Sequence, residues 1–415
     1  EALSTFDEVA ALAILRMPSD RMDQQARTTL FDHFLTSDTV WNQHLTSLLA
    51  VRGEFAKAND GLREIMVMKE MAQPKPAYVL FRGEYNQRRD EVGPGTPAAL
   101  SPFPADAPKN RLGLAQWVTD PKHPLTARVT VNRVWQSIFG RGLVKTSEDF
   151  GSQGSRPLYP EALDALAAYL IQSGWDMKQL VKTIVLTRTY RQRSIADQKT
   201  LTEDPDNEWL ARGPRFRLPA EMIRDNALAA AGLLNSRSGG PPVNPYEMTE
   251  AFKPAGTSAG DDVFRRSLYT SWRRTGPPPA MLAFDAPRRA VCIAKRERTD
   301  SPLQALILLN GVQYVEAARV LGESLHRDAN GDLSKMIEQG FLRTLSRRPD
   351  ARETEILNQL YKEQRAWFEA HATEAEQLIR IGQKPRDESI APIDSAAATA
   401  LAQAMLNHDE CVVKR

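Results

Sequence analysis

Two sets of acidic side chains have the types and spacing that catalysis needs. Glu221 and Asp225 stand four residues apart in a segment that Pro219 opens as a helix, which puts both carboxylates on one face. Acids so placed could share a proton or hold a cation as catalytic groups, and the flanking Arg217 and Arg224 would favour their charged forms. The same residues also describe an ion-paired surface between domains, with Glu221 favoured at a helix start by the backbone dipoles. Asp285 follows an apolar run and precedes Ala286-Pro287 inside a cationic segment. That field keeps it ionised, as a general base or an orienting group. A salt bridge to Arg288 or Arg296 accounts for it as well.

Two further sets suit binding. In Asn132-Arg133-Val134-Trp135, ahead of Asp149, Asn132 and Trp135 lie on nearly the same helical face and Arg133 points elsewhere. An amide, a guanidinium and an indole together suit sugar hydroxyls and an apolar sugar face. The alternative puts Trp135 in the core and Arg133 against the carbonyls of the loop Lys145–Gly151. From Arg265 to Arg298 the chain holds nine Lys or Arg against Asp285 and Glu297, a local charge of +7 in a chain of only +2. Arg266, Arg273, Arg296 and Arg298, interleaved with Tyr269 and Trp272, would form a surface for an anion: a sulfated or uronate polysaccharide, or haem propionates. Nucleic acid is the least favoured of these ligands, because the whole chain is close to neutral. The alternative is internal pairing of these arginines with Asp149, Glu221, Asp225 or Asp285, or with the acids of residues 350–379.

Other chemistries find no support in the spacing. There is no CxxCH or CxxC, so this stretch attaches no c-type haem of its own, and no HxxH or HExxH for zinc. Phosphate-cradling and dinucleotide-binding glycine patterns and a Ser-His-Asp arrangement are also missing. Cys292 and Cys411 could pair, but no framework pattern requires it. No apolar run approaches the roughly 18–20 residues of a membrane span.

The elements that must position these groups are mainly helical. Phe31, Phe34, Val40, Trp41 and Leu45 give a helical pattern between Phe6 and about Met68. Starting at Glu1 without a leader, these helices are expected to belong to an upstream domain, and to expose an apolar face or bury it against that domain or a separate chain. Residues 73–108 are rich in Pro and Gly, with one strand expected at Tyr78–Phe81. Helices resume at Asn110. Asp176 with Gln179 resembles a capping box ahead of Leu180, Val181, Ile184 and Val185. Ser301-Pro302-Leu303-Gln304 starts a helix expected to run to about His326, and Asp350 with Glu353 starts another that buries Ile356, Leu357, Leu360, Trp367 and Phe368. The fold class is therefore mainly α, a multi-helix globular architecture with a few short strands and long ordered loops. Four regions follow: 1–72, the helical end of an upstream domain; 73–109, an extended crossing segment; 110–325, the core domain; and 326–415, a C-terminal helical region.

The run HPLTARVTVNRVWQSIFGRGLVKTSEDFG, within residues 110–191, resembles an exported domain of unknown function abundant in planctomycetes and verrucomicrobia. The stretches VLFRGEYNQRRDEVGPGTPA, TRTYRQRS, FRRSLYTSWRRTGPPPAMLAFDAPRRAVC and RERTDSPLQALILLN resemble it in the same order, over roughly residues 65 to 325, and AQAMLNHDE near the end also fits. The resemblance implies a signal peptide, a planctomycete-type cytochrome c domain and a second uncharacterised domain upstream, and genes found beside sulfatases and other polysaccharide-degrading functions. Relatives often carry a histidine just after NRVWQ, where this chain has Ser137. The expectation is a periplasmic or otherwise exported, cytochrome c-linked protein that binds or processes carbohydrate, in one version by oxidation beside a haem domain, with this chain as the binding scaffold. Its expected partners are the upstream domain or a separate chain of the same precursor, and an anionic polysaccharide. The competing class is a non-catalytic cell-envelope structural or glycan-binding protein; a hydrolase using Glu221 or Asp285 is the third.

Overall fold

A computed structural model describes residues 11–62, 64–246, 256–273 and 276–414. The expected helical start at Phe6, and Arg274 of the basic stretch, lie outside the described residues. The chain divides into two compact units, Glu1–Gly93 and Pro94–Arg415.

In the first unit, Asp23 and Asp38 cap helices α1 (Gln24–Ser37) and α2 (Thr39–Asp60), each accepting a backbone N–H of the first turn. Neither helix buries a residue, and Phe31, Phe34, Val40, Trp41 and Leu45 all remain exposed, as the apolar pattern without a partner predicts. The second helix stops at Asp60, short of the expected Met68. Asn59-Asp60-Gly61 supplies turn chemistry there, and residues 64–76 form neither helix nor strand. The strand expected near Tyr78 appears as β1 (Ala77–Leu80), antiparallel to β2 (Arg88–Val92). Phe81 falls in the turn, where Arg82 takes a left-handed φ of 50°.

The second unit is mainly α. Helices α3 (Arg111–Thr119), α4 (Thr126–Phe139), α5 (Pro160–Gln172), α6 (Met177–Val185) and α7 (Gln198–Glu203) come first. After β3 (Phe216–Arg217) follow α8 (Ala220–Ala230), α9 (Pro279–Ala283), α10 (Pro302–Asn310), α11 (Val312–Asp328), α12 (Leu333–Leu345), α13 (Ala351–Ala370), α14 (Ala372–Ile379), α15 (Pro392–Leu406) and α16 (Asp409–Val412). Strand β4 (Val413–Lys414) closes the unit, antiparallel to β3 with Phe216 opposite Lys414.

The capping boxes at Ser301/Gln304 and Asp350/Glu353 both form. Pro160 sits in the first turn of its helix, whereas Pro219 is the cap residue. At Asp176 only half of the expected box exists: its carboxylate takes the Lys178 and Gln179 amides, while the Gln179 side chain turns to the Tyr169 hydroxyl. The helix expected to run to His326 breaks at Gly311, whose ψ of 127° is extended. A Cβ there would lie 2.7 Å from the Ile307 carbonyl, so the break needs glycine. Carbonyls freed by it are taken by the Asn310 amide and, from α15, by Gln403. On α13 only Leu357 and Phe368 of the expected stripe are fully buried; Ile356 and Trp367 lie one residue off that face and are exposed. Val181 on α6 is exposed for the same reason, beside buried Leu180 and Ile184.

Two large apolar cores result, beside a small third cluster of Phe368, Ala375, Ile379 and Ala396. One gathers Val131, Trp135 and Phe139 of α4 with Leu163, Leu170, Leu180 and Ile184. The other is built on α8, α11, α12 and α15, where Gly322 lets α11 approach the α15 backbone at Ala398. Buried in the second core, Arg224 of α8 has the Asp225 carboxylate 3.7 Å from its Nη1, beyond hydrogen-bond reach. It donates instead to the carbonyls of Val263 (2.6 Å) and Arg265 (2.9 Å), to Ser267 Oγ and to Gln313 Oε1. Beside it, Asp225 accepts the Ser267 amide and hydroxyl. Arg224→Met should strand those acceptors and destabilise the fold by on the order of 3–5 kcal/mol, read by urea unfolding.

The C-terminal strand is anchored from the far side. Arg347 donates to Glu353 at the start of α13 (2.6 Å) and to Glu410 of α16 (2.7 Å). The hydrogen bonds from Arg347 pull the Glu353 carboxyl from its usual 4.5 to about 2. A depressed carboxylate contributes stability above its unfolded value, and that contribution is lost as pH falls through the folded one. The unfolding midpoint should therefore drop between pH 4.5 and 2, and Glu353→Gln should flatten that part of the profile while lowering stability at neutral pH.

Candidate functional site

Between the two cores of the second unit lies a cleft of about 860 Å³, inside the roughly 300–1,000 Å³ range of small-molecule sites. Its walls come from segments distant in sequence. Helix α4 contributes Arg133, Gln136 and Ser137, because the opposite face of that helix is committed to the first core through Val131, Trp135 and Phe139. The antiparallel pairing of β3 with β4 brings Phe216 and Arg217 beside Lys414. Helix α8 adds Glu221 and Met222 from its first turn, and a strap of residues 285–299 adds Ile293, Arg296 and Arg298. Phe216, Phe284, Met222 and Ile293 give the cleft apolar surface next to its cations.

The strap is pinned where it starts and ends. Asp285 holds a left-handed φ of 61°, and its carboxylate accepts the Thr299 amide at 2.7 Å and the Thr299 hydroxyl at 2.9 Å. Arg296 donates to Glu221 at 2.8 Å. Arg298 donates to the Gly140 carbonyl at 2.8 Å and stacks over the Phe216 ring at 4.2 Å. Burial pulls the Arg298 pKa below its ordinary value. Arg217 reaches Asp300 at 2.6 Å, with its Nε buried and without a partner. Lys414 donates to the Tyr190 hydroxyl at 2.6 Å.

Five residues expected to act, Arg133, Glu221, Asp285, Arg296 and Arg298, line this cleft. The others lie elsewhere. Asn132 and Trp135 are buried: Trp135 stacks on Phe139 at 4.2 Å, and Asn132, rather than Arg133, satisfies the 144–147 loop. Asp225 does not share a proton with Glu221, since its carboxylate is directed at Ser267. Tyr269 accepts the Gly239 amide and carries buried Arg265 on its ring at 3.9 Å. The bond with Ser238 is the largest cause that holds the Tyr269 phenol below its usual range. Trp272 donates to the Arg288 carbonyl beneath Arg289. Arg266 and Arg273 are exposed and do not line the cleft. Of the acids expected to pair with the basic stretch, Glu221 takes Arg296, and the acids of α13 serve Arg347 and Arg365 among the described residues.

Tyr190, Phe216, Gln136 and Lys414 escaped the sequence reading, and Arg217 entered it only as a charge beside Glu221. Nothing local marks them, because they meet only through the β3–β4 pairing and the packing of α4. Cys292 is exposed on the strap and Cys411 buried in α16, so the two do not form a disulfide; burial pushes the Cys411 thiol up to about 11. No group of three His, Cys, Asp or Glu is placed to hold a metal among the described residues, and no helix among them is long and apolar enough to cross a membrane.

Residues 110–361 match the family described as PSD1, a protein of unknown function (DUF1553), which is more than half of the chain. The chain belongs to that family. No curated protein and no solved structure matches it.

The pinning of the strap has a direct test. Thr299→Val removes the hydroxyl that Asp285 accepts but keeps the amide. Trypsin should then cut at Arg288 and Arg289 faster by about fivefold, the factor that corresponds to one neutral hydrogen bond of about 1 kcal/mol.

Proposed function

We propose that the cleft binds an acidic carbohydrate, and that this chain is the binding scaffold of an exported protein working beside a cytochrome c domain. The observation that supports the binding reading is the cleft itself: apolar side chains such as Met222, Ile293 and Phe216 stand next to arginines projecting from a helix and a pinned strap. A pyranose ring has an apolar C–H face and polar edges, and an acidic sugar adds a charge that a guanidinium fork accepts. The haem half of the proposal rests on the resemblance of the sequence to exported, cytochrome-linked relatives. With no attachment pair in this chain, the haem belongs to the upstream domain or a partner chain.

A specific observation favours the non-catalytic version, a glycan-binding component of the cell envelope, over a hydrolase. Both candidate carboxylates in the cleft are occupied as acceptors, Glu221 by Arg296 and Asp285 by Thr299, which makes them positioning groups.

Calorimetric titration with a sulfated or uronate oligosaccharide should give binding that weakens as salt rises, because exposed charges are screened beyond roughly 8–10 Å near physiological ionic strength. Ser137→Trp, which fills the cleft from an exposed helical position, should abolish binding and leave thermal unfolding unchanged. Binding untouched by Ser137→Trp, or none with either acidic or neutral sugars, would overturn the proposal. Reduction of a companion cytochrome c on sugar addition, dependent on this chain, would support the oxidative version; binding without reduction would support the envelope version.

A further inference from the structure

We infer that α4 carries an oxyanion subsite, made by the Arg133 guanidinium and the Gln136 side-chain amide and oriented from the core through Asn132 and Ser147. It deepens the carbohydrate reading, and rests on it for the molecule that bears the oxyanion.

Arg133 is set apart from the other cations of the cleft by its freedom. Arg217, Arg296, Arg298 and Lys414 each donate to a protein acceptor. Arg133 is exposed, lines the cleft, and has no hydrogen bond or ion pair to any described residue. Its five N–H donors are therefore available to a ligand. Gln136 stands three residues further along the same helical face and lines the same cleft.

A chain of hydrogen bonds decides which way Gln136 points. The Val144 amide can only donate, and it meets Asn132 Oδ1 at 2.8 Å. Asn132 must then present its Nδ2 to the Val144 carbonyl at 3.1 Å and to Ser147 Oγ at 3.2 Å. Ser147 accepts there, and its single hydroxyl hydrogen has two acceptors in range, the Val144 carbonyl at 3.5 Å and the much nearer Gln136 Oε1 at 2.5 Å, which takes it. With its oxygen engaged, Gln136 turns its NH₂, a donor only, toward the cleft. Gly142 makes the relay possible: a Cβ there would lie 2.5 Å from the Val144 carbonyl and 2.7 Å from Asn132 Nδ2.

Arg133 and Gln136 together thus offer donors and no acceptor. A hydroxyl placed against them finds nothing to take its own hydrogen, whereas a proton-free oxyanion satisfies both, one through a charge-assisted bond. The fitting group is the sulfate ester or carboxylate of an acidic sugar. Arg133 and Gln136 become specificity-determining residues, and Ser147 a positioning residue that never touches the ligand.

The test titrates a sulfated disaccharide, its desulfated counterpart and inorganic sulfate into the full chain. Wild type should prefer the sulfated sugar, and inorganic sulfate should bind more weakly at the same place. Arg133→Ala and Gln136→Glu should each weaken the sulfated sugar by about tenfold or more, the range expected for a lost hydrogen bond to a charged group, and leave the desulfated sugar unchanged. Arg133→Lys should recover only part of the loss, because the fork is gone. Ser147→Ala should cut the sulfated-to-desulfated preference, an effect that general loosening of the fold would not produce; Asn132 is left intact to hold the loop. Equal binding of both sugars, abolished by Ser137→Trp, would overturn the subsite while the carbohydrate reading stands. So would a sulfate preference that Arg133→Ala and Gln136→Glu leave intact. If inorganic sulfate binds as tightly as the ester, the site belongs to a free anion, and the sugar assignment falls. Binding of none of the three probes overturns both.

Discussion

A buried arginine whose hydrogen bonds all go to uncharged groups organises the larger core. Arg224 is 2% exposed, and leaving any of its N–H groups unpaired there would cost more than an ordinary hydrogen bond returns. The chain meets that demand with backbone: the carbonyls of Val263 and Arg265, with Ser267 and Gln313 beside them. This ties α8 to the 263–267 turn and to α11, and so fixes the rotation of α8 about its axis. With Arg224 and Ile223 turned into the core, Glu221 and Met222 in the preceding turn face the cleft. The strap then takes its position from Glu221 through Arg296. A cleft wall is thus set by a buried charge one turn away from it.

The same device recurs where the sequence shows only a run of positive charge. Arg265 is fully buried, yet it too is held by carbonyls, those of Pro241, Arg237 and Gly239, and by the Tyr269 ring. Its neighbour Arg266 is exposed. Charge composition is legible in a sequence, and so is the pairing rule that buried cations need partners. Which partners is not, because every residue supplies a carbonyl and none advertises it. That is why Asp149, Asp225 and Asp285 seemed natural counter-ions for the basic stretch, whereas Glu221 takes Arg296 and Asp225 lies against Arg224.

Local chemistry was legible almost throughout. The capping boxes at Ser301 and Asp350, the strand at Tyr78 and the exposed apolar face of α1 and α2 all follow from residues close together in sequence. Gly311 is the clearest exception, beside the early stop at Asp60 and the half-formed box at Asp176, since an isolated glycine in an apolar helical run reads as tolerated until the approach of the Ile307 carbonyl is known. The site was legible by half. Arg133, Glu221, Asp285, Arg296 and Arg298 stand out by type and setting, but Phe216 and Lys414 are ordinary residues until a two-residue strand pair places them face to face. Long-range pairing of that length leaves no periodicity to read.

The stretch Asn132–Ser137 holds both halves of the molecule in six consecutive residues. Helical geometry sends Asn132, Trp135 and Phe139 inward and Arg133, Gln136 and Ser137 outward, so one short stretch contributes alternately to the core and to the cleft. Substitution of a buried member would therefore alter the site without touching a ligand, through the loop at 142–147 that Asn132 holds. The polarity of that link is fixed by a single backbone N–H, that of Val144, which can only donate. From it, each partner's role follows in turn outward to the cleft: acceptor, donor, acceptor, donor. A hydrogen-bond chain with one fixed end transmits orientation without motion, and it lets a packed core decide which chemical group the surface will accept.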